Sequence, residues 1–261
     1  MTTLYFTGTG NSLYVAKQIG GQLLSIPQLI KDNTLSITDD VVGIVYPCYG
    51  FNVPDYVADY LRKAQIQAEY IFAVMTYAGD AFGGVRHMEK ILAGVSIPLD
   101  YGNEIIMPNN YLIGNDLSEQ VTEAESARIN AELSAIARDI HERKKQTLHK
   151  GILSEATSAA MRGLMKAMGM TKNADKSFTV NDACNTCGTC TKVCPLKNIT
   201  VSDAGRVEFH HHCTFCTACI NYCPQNAIHH KREKSDARYQ NPSIDISEMI
   251  ASNNQYEDGE K

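Results

Sequence analysis

Residues 184–195 read CNTCGTCTKVCP, and residues 213–224 repeat the pattern as CTFCTACINYCP. Each run holds four cysteines and ends in a proline, and each of these residues recurs 29 positions later. The cysteines are Cys184, Cys187, Cys190 and Cys194 in the first run and Cys213, Cys216, Cys219 and Cys223 in the second. The two runs are therefore copies of one motif, which takes up eight of the nine cysteines of the chain.

The spacing of these cysteines is that of two-cluster bacterial ferredoxins. In that motif three thiolates surround one cluster, and the fourth, before the proline, binds the other cluster. The expected ligands of one [4Fe–4S] cluster are Cys184, Cys187, Cys190 and Cys223, and those of the other are Cys213, Cys216, Cys219 and Cys194. The alternatives are disulfides and zinc, but zinc ribbons usually need two separated C-x-x-C pairs. The resemblance to ferredoxins covers about residues 178–231 and predicts a small α+β domain there.

Composition narrows the class of the protein. With 261 residues, 44% of them hydrophobic, the chain is long enough for one large domain or two ordinary ones. A net charge of −5 at pH 7 argues against a nucleic-acid partner. Residues 2–6 resemble a strand with no signal peptide before it, and no apolar run approaches the roughly 20 residues of a membrane helix. Because thiolate-ligated clusters need a reducing setting, we expect a soluble, cytoplasmic protein with no membrane partner.

Residues 1–110 alternate between strand-like and helix-like segments. Apolar runs typical of strands lie at residues 4–6, 41–46, 70–76 and 104–107, with a weaker one at 27–30. Helical patterns lie at residues 12–24, 54–64 and 83–93. This alternation predicts an α/β domain with a doubly wound, five-stranded parallel sheet.

The chain divides into four predicted parts. Residues 1–115 form the α/β domain, and residues 116–170 form a helical connector with helices at 116–147 and around 158–168. Ser118 is the expected cap of the first connector helix. Residues 171–231 form the cysteine-rich domain. The polar tail at residues 232–261 is expected to be partly disordered or to cover the cysteine-rich part.

The first strand runs into a loop rich in glycine and hydroxyl groups, followed at once by a helix. The loop consists of Thr7, Gly8, Thr9, Gly10, Asn11 and Ser12. Such a loop can hold a phosphate through backbone N–H groups at a helix N-terminus. A P-loop would need a lysine, and a dinucleotide fingerprint would need glycine at position 13, which is Leu13. The loop resembles the FMN phosphate loop of flavodoxins, with an ordinary glycine turn as the alternative.

Resemblance to flavodoxins implies two further flavin loops. The loop after the third strand contributes Pro47, Tyr49, Gly50 and Phe51, and the loop after the fourth contributes Thr76, Tyr77, Ala78 and Gly79. By that resemblance Tyr49, Phe51 and Tyr77 are candidates to stack on the flavin ring. The Gly50 carbonyl either turns toward the flavin or belongs to a tight turn.

The chain as a whole resembles the EFR family of flavodoxin–ferredoxin fusions from anaerobic microbes, over nearly all of residues 1–231. The stretches MTYAG at residues 75–79 and MPNNY at residues 107–111 also fit that family's pattern. The resemblance implies one FMN and two [4Fe–4S] clusters but names no substrate. Histidines stand beside the cysteine runs, at residues 210–212 and 229–230. We expect them to face solvent or to bond a cluster sulfur.

Cofactors of this kind predict electron transfer. A flavin takes electrons singly or in pairs, so it can connect one-electron clusters with two-electron chemistry. We expect the protein to exchange electrons with a redox partner protein, a ferredoxin-like donor or an acceptor reductase. The alternatives are an FMN-dependent reductase of a small substrate, fed by its own clusters, and a redox sensor. A homodimer is a further possibility.

Overall fold

A computed structural model describes residues 1–79, 83–113, 115–118, 121–148, 151, 157, 160, 163 and 173–257 of the chain. The chain divides into two units by its contacts. The first consists of Met1–Thr7, Asn11–Pro108 and Val121–Met168. The second consists of Gly8–Gly10, Asn109–Gln120 and Gly169–Lys261. The four-part division expected from the sequence stays a prediction.

The first unit is built on a parallel sheet that has six strands within the described residues. In spatial order these are β2 (Gln22–Ser25), β1 (Thr2–Tyr5), β4 (Val41–Pro47), β6 (Tyr70–Tyr77), β7 (Tyr101–Ile106) and β8 (Gln146–Thr147). The strands β3 (Ser36–Thr38) and β5 (Gln65–Gln67) pair with each other apart from it. The predicted parallel α/β sheet is confirmed, and β8 makes it one strand larger than the five expected. Its order is that of a doubly wound fold whose switch point lies between β1 and β4.

Two boundaries near the N-terminus differ from the prediction. The helix α1 covers Asn11–Ile19 and not residues 12–24, because Gly20 and Gly21 follow it with φ of 93° and 84°. The strand predicted at residues 27–30 is wrong, since β2 precedes it and Ile26–Lys31 forms the helix α2. Pro27 stands in the first turn of α2, where a missing N–H and a fixed φ favour the helix.

Three further helices lie within the described residues of the first unit: α3 (Asp55–Leu61), α4 (Gly84–Ala93) and α5 (Glu123–His141). The last is shorter than the predicted helix at residues 116–147. The Thr122 hydroxyl, and not Ser118, caps it by accepting a hydrogen bond of 3.1 Å from the Glu125 N–H. None of the helices in the described ranges is both long and apolar enough to cross a membrane.

The helix α5 belongs to the core of the first unit. It buries one apolar side, formed by Ile129, Leu133, Ile136 and Ile140, and contacts α1 and β7. The second predicted connector helix, around residues 158–168, lies almost wholly outside the described residues.

The second unit repeats its own secondary structure. The elements β9 (Phe178–Val180), α6 (Thr189–Lys192) and β10 (Ile199–Val201) recur 29 residues later as β11 (Val207–Phe209), α7 (Ala218–Asn221) and β12 (Ile228–His230). Each antiparallel pair takes one strand from each copy, because β9 pairs with β12 and β10 pairs with β11. The two cysteine runs therefore fold as one interlocked domain.

The described part of the polar tail packs within the second unit. It contains the helix α8 (Ile246–Asn253), which Asp245 and Glu248 open with a capping box. The Tyr256 hydroxyl donates to the Ile199 carbonyl at 2.6 Å, and the Asn253 amide donates to the Val193 carbonyl at 3.3 Å. Of the two expectations for the tail, covering the cysteine-rich part is the one that the described residues support.

The burial of α5 yields a stability prediction. Truncating Ile136, which is 3% exposed, to alanine should lower the free energy of unfolding by about 2–5 kcal/mol, because it leaves a cavity against the sheet. Urea unfolding followed by far-UV circular dichroism measures this. Glu132→Gln on the same helix removes only the exposed ion pair with Arg128 and should cost about 0.3–0.5 kcal/mol. Equal effects of the two changes would show that α5 is not part of the core.

Candidate functional site

One cavity in the second unit is lined by four cysteines drawn from both runs. They are Cys184, Cys187, Cys190 and Cys223. The cavity has an empty volume of about 320 Å³, its open mouth included, and Val201, Val207 and Ile228 form apolar walls. The structure thus brings together the four cysteines expected to share one cluster.

A second cavity of the same empty volume, about 320 Å³, holds the other four cysteines. They are Cys194, Cys213, Cys216 and Cys219. Phe178, Leu196 and Ile199 contribute apolar side chains to this lining. Here too the fourth cysteine, Cys194, comes from the other run, as expected from the spacing.

The backbone around the two cavities is duplicated as closely as the sequence. Left-handed residues occur in pairs 29 positions apart: Thr186 and Phe215 at φ of 58° and 57°, Gly188 and Thr217 at 74° and 58°, and Lys197 and Asn226 at 51° and 47°. Non-glycine residues adopt this conformation at a cost, so their surroundings must impose it.

These strained turns direct backbone N–H groups at sulfur atoms. The Asn198 N–H donates to Cys194 Sγ at 3.4 Å, and its repeat partner Ala227 donates to Cys223 Sγ at 3.3 Å. The Phe215 N–H donates to Cys213 Sγ at 3.2 Å. Hydrogen bonds to a ligating sulfur stabilise its negative charge and thereby tune a bound metal centre.

Burial keeps these cysteines protonated, so they become thiolates only when a cation binds beside them. Burial raises the pKa of Cys190 to about 12, and the neighbouring Cys187 adds to the rise. Burial likewise raises the pKa of Cys213 to about 12 and that of Cys219 well above its usual range. Coordination to a metal ion deprotonates such thiols outright. Four converging sulfurs in an apolar cavity are therefore a donor set that fits an iron–sulfur cluster.

The two cavities differ in their exposure to solvent. Cys187 is exposed and Cys184 half-buried, whereas Cys216, Cys219 and Cys194 are buried. The apolar cluster that Leu112 joins from the segment at residues 109–120 contains lining residues of both cavities. Solvent and a protein partner can therefore approach the first cavity more closely than the second.

The histidines near the cysteine runs do not all face solvent. His210, His211 and His212 are exposed, but His230 is 6% exposed and packs edge-on against Phe178 and Phe215. Burial lowers the pKa of His230, which favours the neutral ring. The expectation of solvent exposure fails here because β12 turns alternate side chains inward when it pairs with β9.

His229 belongs to a group that resembles a metal site. Its Nδ1 lies 2.6 Å from Glu233 Oε1 and 3.6 Å from Asp236 Oδ1. The cation of this group is an arginine, however. Arg238 Nη2 lies 3.1 Å from His229 Nδ1 and 3.4 Å from Glu233 Oε1, so its guanidinium takes the place that a metal ion would need.

Two buried polar side chains beside the second cavity are absent from the sequence-based prediction. Asp175 and Asn198 are each 2% exposed and bond to each other, Asn198 Nδ2 donating to Asp175 Oδ2 at 3.0 Å. One signal was available in the sequence. Aligning the two copies places Asn198 against Ala227, and that polar-for-apolar change marks a difference between the copies.

The candidate phosphate loop is shared between the two units in sequence. Within the first unit, Ser12 Oγ lies 2.8 Å from Thr76 Oγ1, and Asn11 Nδ2 donates to the Pro108 carbonyl at 3.1 Å. Ser12 and Thr76 were predicted for separate flavin loops, and the structure places them in contact. Thr7 and Ser12 are buried, each 1% exposed.

The middle of the loop, Gly8–Gly10, groups with the second unit. Asn110 Nδ2 donates to Thr9 Oγ1 at 2.6 Å, and the Asn241 N–H donates to the Thr9 carbonyl at 2.9 Å. A hydroxyl that accepts one bond still has its own proton to donate, so Thr9 can bond an anion oxygen. Gly10, at φ of 97°, has no room for a side chain, because a Cβ would lie 2.8 Å from Asn241 Cβ.

The predicted ring loops follow β4 and β6, which end at the same edge of the sheet with Pro47 opposite Thr76. Tyr49 and Asn52 close a two-residue turn through reciprocal backbone bonds of 2.9 and 3.1 Å. Gly50 and Phe51 occupy the turn, at φ of 55° and 66°, and the Gly50 carbonyl accepts from Asn52 Nδ2 at 2.9 Å. Gly50 therefore lies in a tight turn, and a role of its carbonyl toward a flavin stays a prediction.

The remaining predicted ring-loop residues surround the ends of the same strands. Tyr49 packs edge-on against Phe6 with ring centroids 6.1 Å apart. Tyr77 ends β6 half-buried, and Ala78 and Gly79 continue from it. Residues 80–82 of this loop lie outside the described residues.

Comparison with known proteins identifies the cysteine-rich domain. A family model described as a 4Fe–4S dicluster domain matches residues 177–224, which include all eight cysteines of the two runs. The chain therefore carries a 4Fe–4S ferredoxin-type domain. Comparison with curated proteins gives no match.

Two solved structures are similar to part of the chain. The Trp repressor binding protein from Bacillus subtilis is 10% identical with a TM-score of 0.33, over 58% of this chain and 100% of that protein. The rubredoxin oxygen:oxidoreductase from the anaerobe Desulfovibrio gigas is 12% identical with a TM-score of 0.32, over 54% of this chain and 36% of that protein. The chain thus spans about a third of the oxidoreductase.

The cavity linings predict which cysteines act together. Cys187 and Cys223 line one cavity. Cys187→Ser and Cys223→Ser should therefore each lose roughly half of the bound iron and alter the same EPR signal. Cys216→Ser should affect the other signal. Cys48→Ser, at the ninth cysteine, should leave the iron content unchanged. The pairing would be refuted if Cys223→Ser matched Cys216→Ser and differed from Cys187→Ser.

Proposed function

We propose that the chain is an iron–sulfur flavoprotein of the EFR type, which moves electrons between two [4Fe–4S] clusters and FMN and on to a partner carrier or reductase. The observation that carries the proposal is the pair of cavities, each lined by four cysteines from both runs. The match to a dicluster domain supports the clusters. The hydroxyl-rich loop before α1 and the doubly wound strand order support a flavin at the β1/β4 switch point.

The protein's own residues would set the conditions for transfer. When bound, each cluster supplies a centre that gains and loses one electron. Phe215 donates its own N–H to a sulfur, and the left-handed Lys197 and Asn226 precede the two other N–H donors, so little reorganisation would accompany a change of charge. The apolar walls of the second cavity keep water away from the buried sulfurs of Cys194, Cys216 and Cys219.

Contacts within the second unit suggest an order for the redox chain. The Asn110 amide reaches Thr9 of the phosphate loop, and the adjacent Tyr111 ring lies 6.0 Å from the Phe215 ring. Phe215 in turn bonds Cys213 through its N–H. Within the second unit these contacts connect the second cavity with the Gly8–Gly10 segment, and we propose that a redox partner protein approaches the first cavity at the exposed Cys187.

Metal analysis tests the clusters. Anaerobic reconstitution should give about eight iron and eight acid-labile sulfide per chain, the sum of two four-iron clusters. Iron and sulfide assays together with the visible absorption of the brown protein measure this. Stoichiometric zinc without that absorption would refute the proposal, and about four iron per chain would reduce it to one cluster.

Flavin binding tests the loop. Thr9→Val keeps the shape of the side chain but removes its hydroxyl, and a hydrogen bond to a charged phosphate is worth about 1.5–3 kcal/mol. We therefore expect FMN to bind roughly 10–100-fold more weakly, as measured by flavin fluorescence quenching.

Two controls accompany this measurement. Thr9→Ser restores the hydroxyl and should restore binding, and the iron content of both variants should equal that of the native chain. Heat-released flavin is identified by mass spectrometry. Recovery of FAD, or unchanged affinity of Thr9→Val, would count against the phosphate role of this loop.

A further inference from the structure

The two copies of the cysteine motif differ in the side chain that stands four positions after their fourth cysteine. In both copies the residue four positions later donates its N–H to that sulfur, from Asn198 to Cys194 and from Ala227 to Cys223. Ala227 ends there with a methyl group. Asn198 continues into a buried polar network. Because the two backbones are equivalent, this difference in side chains distinguishes the second cavity from the first.

The network centres on a buried carboxylate. Asp175 lies in a short 3₁₀ helix at Ala174–Ser177, and its side chain is 0% exposed. Its Oδ2 accepts from Asn198 Nδ2 at 3.0 Å and from the His211 N–H at 3.1 Å. Its Oδ1 is buried and has no hydrogen-bond partner among the described residues. A buried oxygen without a partner is costly, so it calls for an explanation.

Hydrogen bonds connect this carboxylate to the ligands of the second cavity. Asn198 Oδ1 accepts from the His212 N–H at 2.8 Å, so Asp175 and Asn198 together fix the residues directly before Cys213. The Asn198 N–H meanwhile bonds Cys194. The carboxylate also acts on Cys194 and Cys213 electrostatically. Burial is the main cause that raises the pKa of both cysteines, and the charge of Asp175 raises it further.

The first cavity has a different electrostatic environment. Apart from burial, the charges that raise the pKa of Cys190 are those of its own set, Cys187, Cys223 and Cys184. Asp182 stands close by in sequence, two residues before Cys184, but it is exposed. Water and salt screen an exposed charge much more than a buried one, so Asp182 is expected to have the weaker effect.

We propose that Asp175 is a positioning residue that holds the cluster of the second cavity at a lower reduction potential than the cluster of the first. The proposal rests on the proposed function, since it requires both clusters. Its physical basis is charge: reduction adds an electron, and a buried negative carboxylate nearby disfavours that addition. The ligands are matched on both sides, and the carboxylate is one asymmetry that would give the pair an upper and a lower step.

The test replaces the carboxylate by its neutral isostere. In anaerobic redox titrations of the full chain followed by EPR, Asp175→Asn should shift one of the two transitions to more positive potential and leave the other in place. The expected shift is on the order of a tenfold rise in the reduced-to-oxidised ratio at fixed potential, about 59 mV for one electron. Combining Asp175→Asn with Cys187→Ser, which damages the other cluster, should leave the shifted transition visible.

Matched variants separate charge from structure. Asp175→Glu keeps the charge and should keep the native potential, and the exposed Asp182→Asn should move neither transition. If Asp175→Asn binds less iron, Asp175→Ala and Asp175→Glu are compared at equal iron content, and only the alanine variant should be shifted. Full iron content with two unshifted transitions in the neutral variants would overturn this inference alone. A native chain with stoichiometric zinc and no iron–sulfur absorption would instead overturn the proposed function.

Discussion

Each cavity takes its fourth cysteine from the other copy of the motif, and the fold of the second unit follows from that exchange. Cys223 reaches back to the first run, and Cys194 reaches forward to the second. The strands are exchanged in the same way, since β9 pairs with β12 and β10 with β11. Neither copy can complete a cavity or a sheet alone, so the two must fold together.

The same exchange explains how so small a unit is stable. Its strands have three residues each and its helices α6 and α7 four each, too little for a self-sufficient core. The cysteines themselves fill the gap: Cys190, Cys194 and Cys219 belong to the buried core with Phe178, Ile199 and Ile220. Because metal coordination replaces the protons of buried thiols, the free energy of cluster binding becomes free energy of folding.

Sequence reasoning recovers what depends on local pattern. The cysteine spacing anticipated both four-residue groups that the structure assembles, because ligand geometry leaves little freedom in that spacing. The parallel sheet was predictable because strand-like and helix-like segments alternate along residues 1–110. Two predicted boundaries are wrong for local reasons. Gly20 and Gly21 end α1 early, and Pro27 lies in the first turn of a helix where the apolar run had suggested a strand. The helix α5 was assigned to a connector because its apolar stripe does not reveal which surface it covers.

Long-range polar contacts were the part that no local pattern could supply. Asp175 meets Asn198 and His211 across 23 and 36 positions of sequence, and nothing in its own neighbourhood marks it as buried. The tail is a similar case. Its polar composition suits a disordered segment, yet Tyr256 and Asn253 each find a backbone carbonyl of the cysteine-rich domain. Burial of a polar residue is decided by its partner, and the partner is set by the fold.

Duplication creates two sites that begin as equals, and they acquire different properties only where their surroundings differ. The backbone preserves the equality, down to paired left-handed residues and paired N–H···S bonds. The differences lie in side chains and surroundings: an exposed Cys187 on one side, and the buried Asp175–Asn198 pair on the other. Changes of this kind leave the ligand geometry intact, because they act on the field at the sulfurs and on access to them. The two sites of a repeated motif can therefore come to differ while all eight cysteines stay in place.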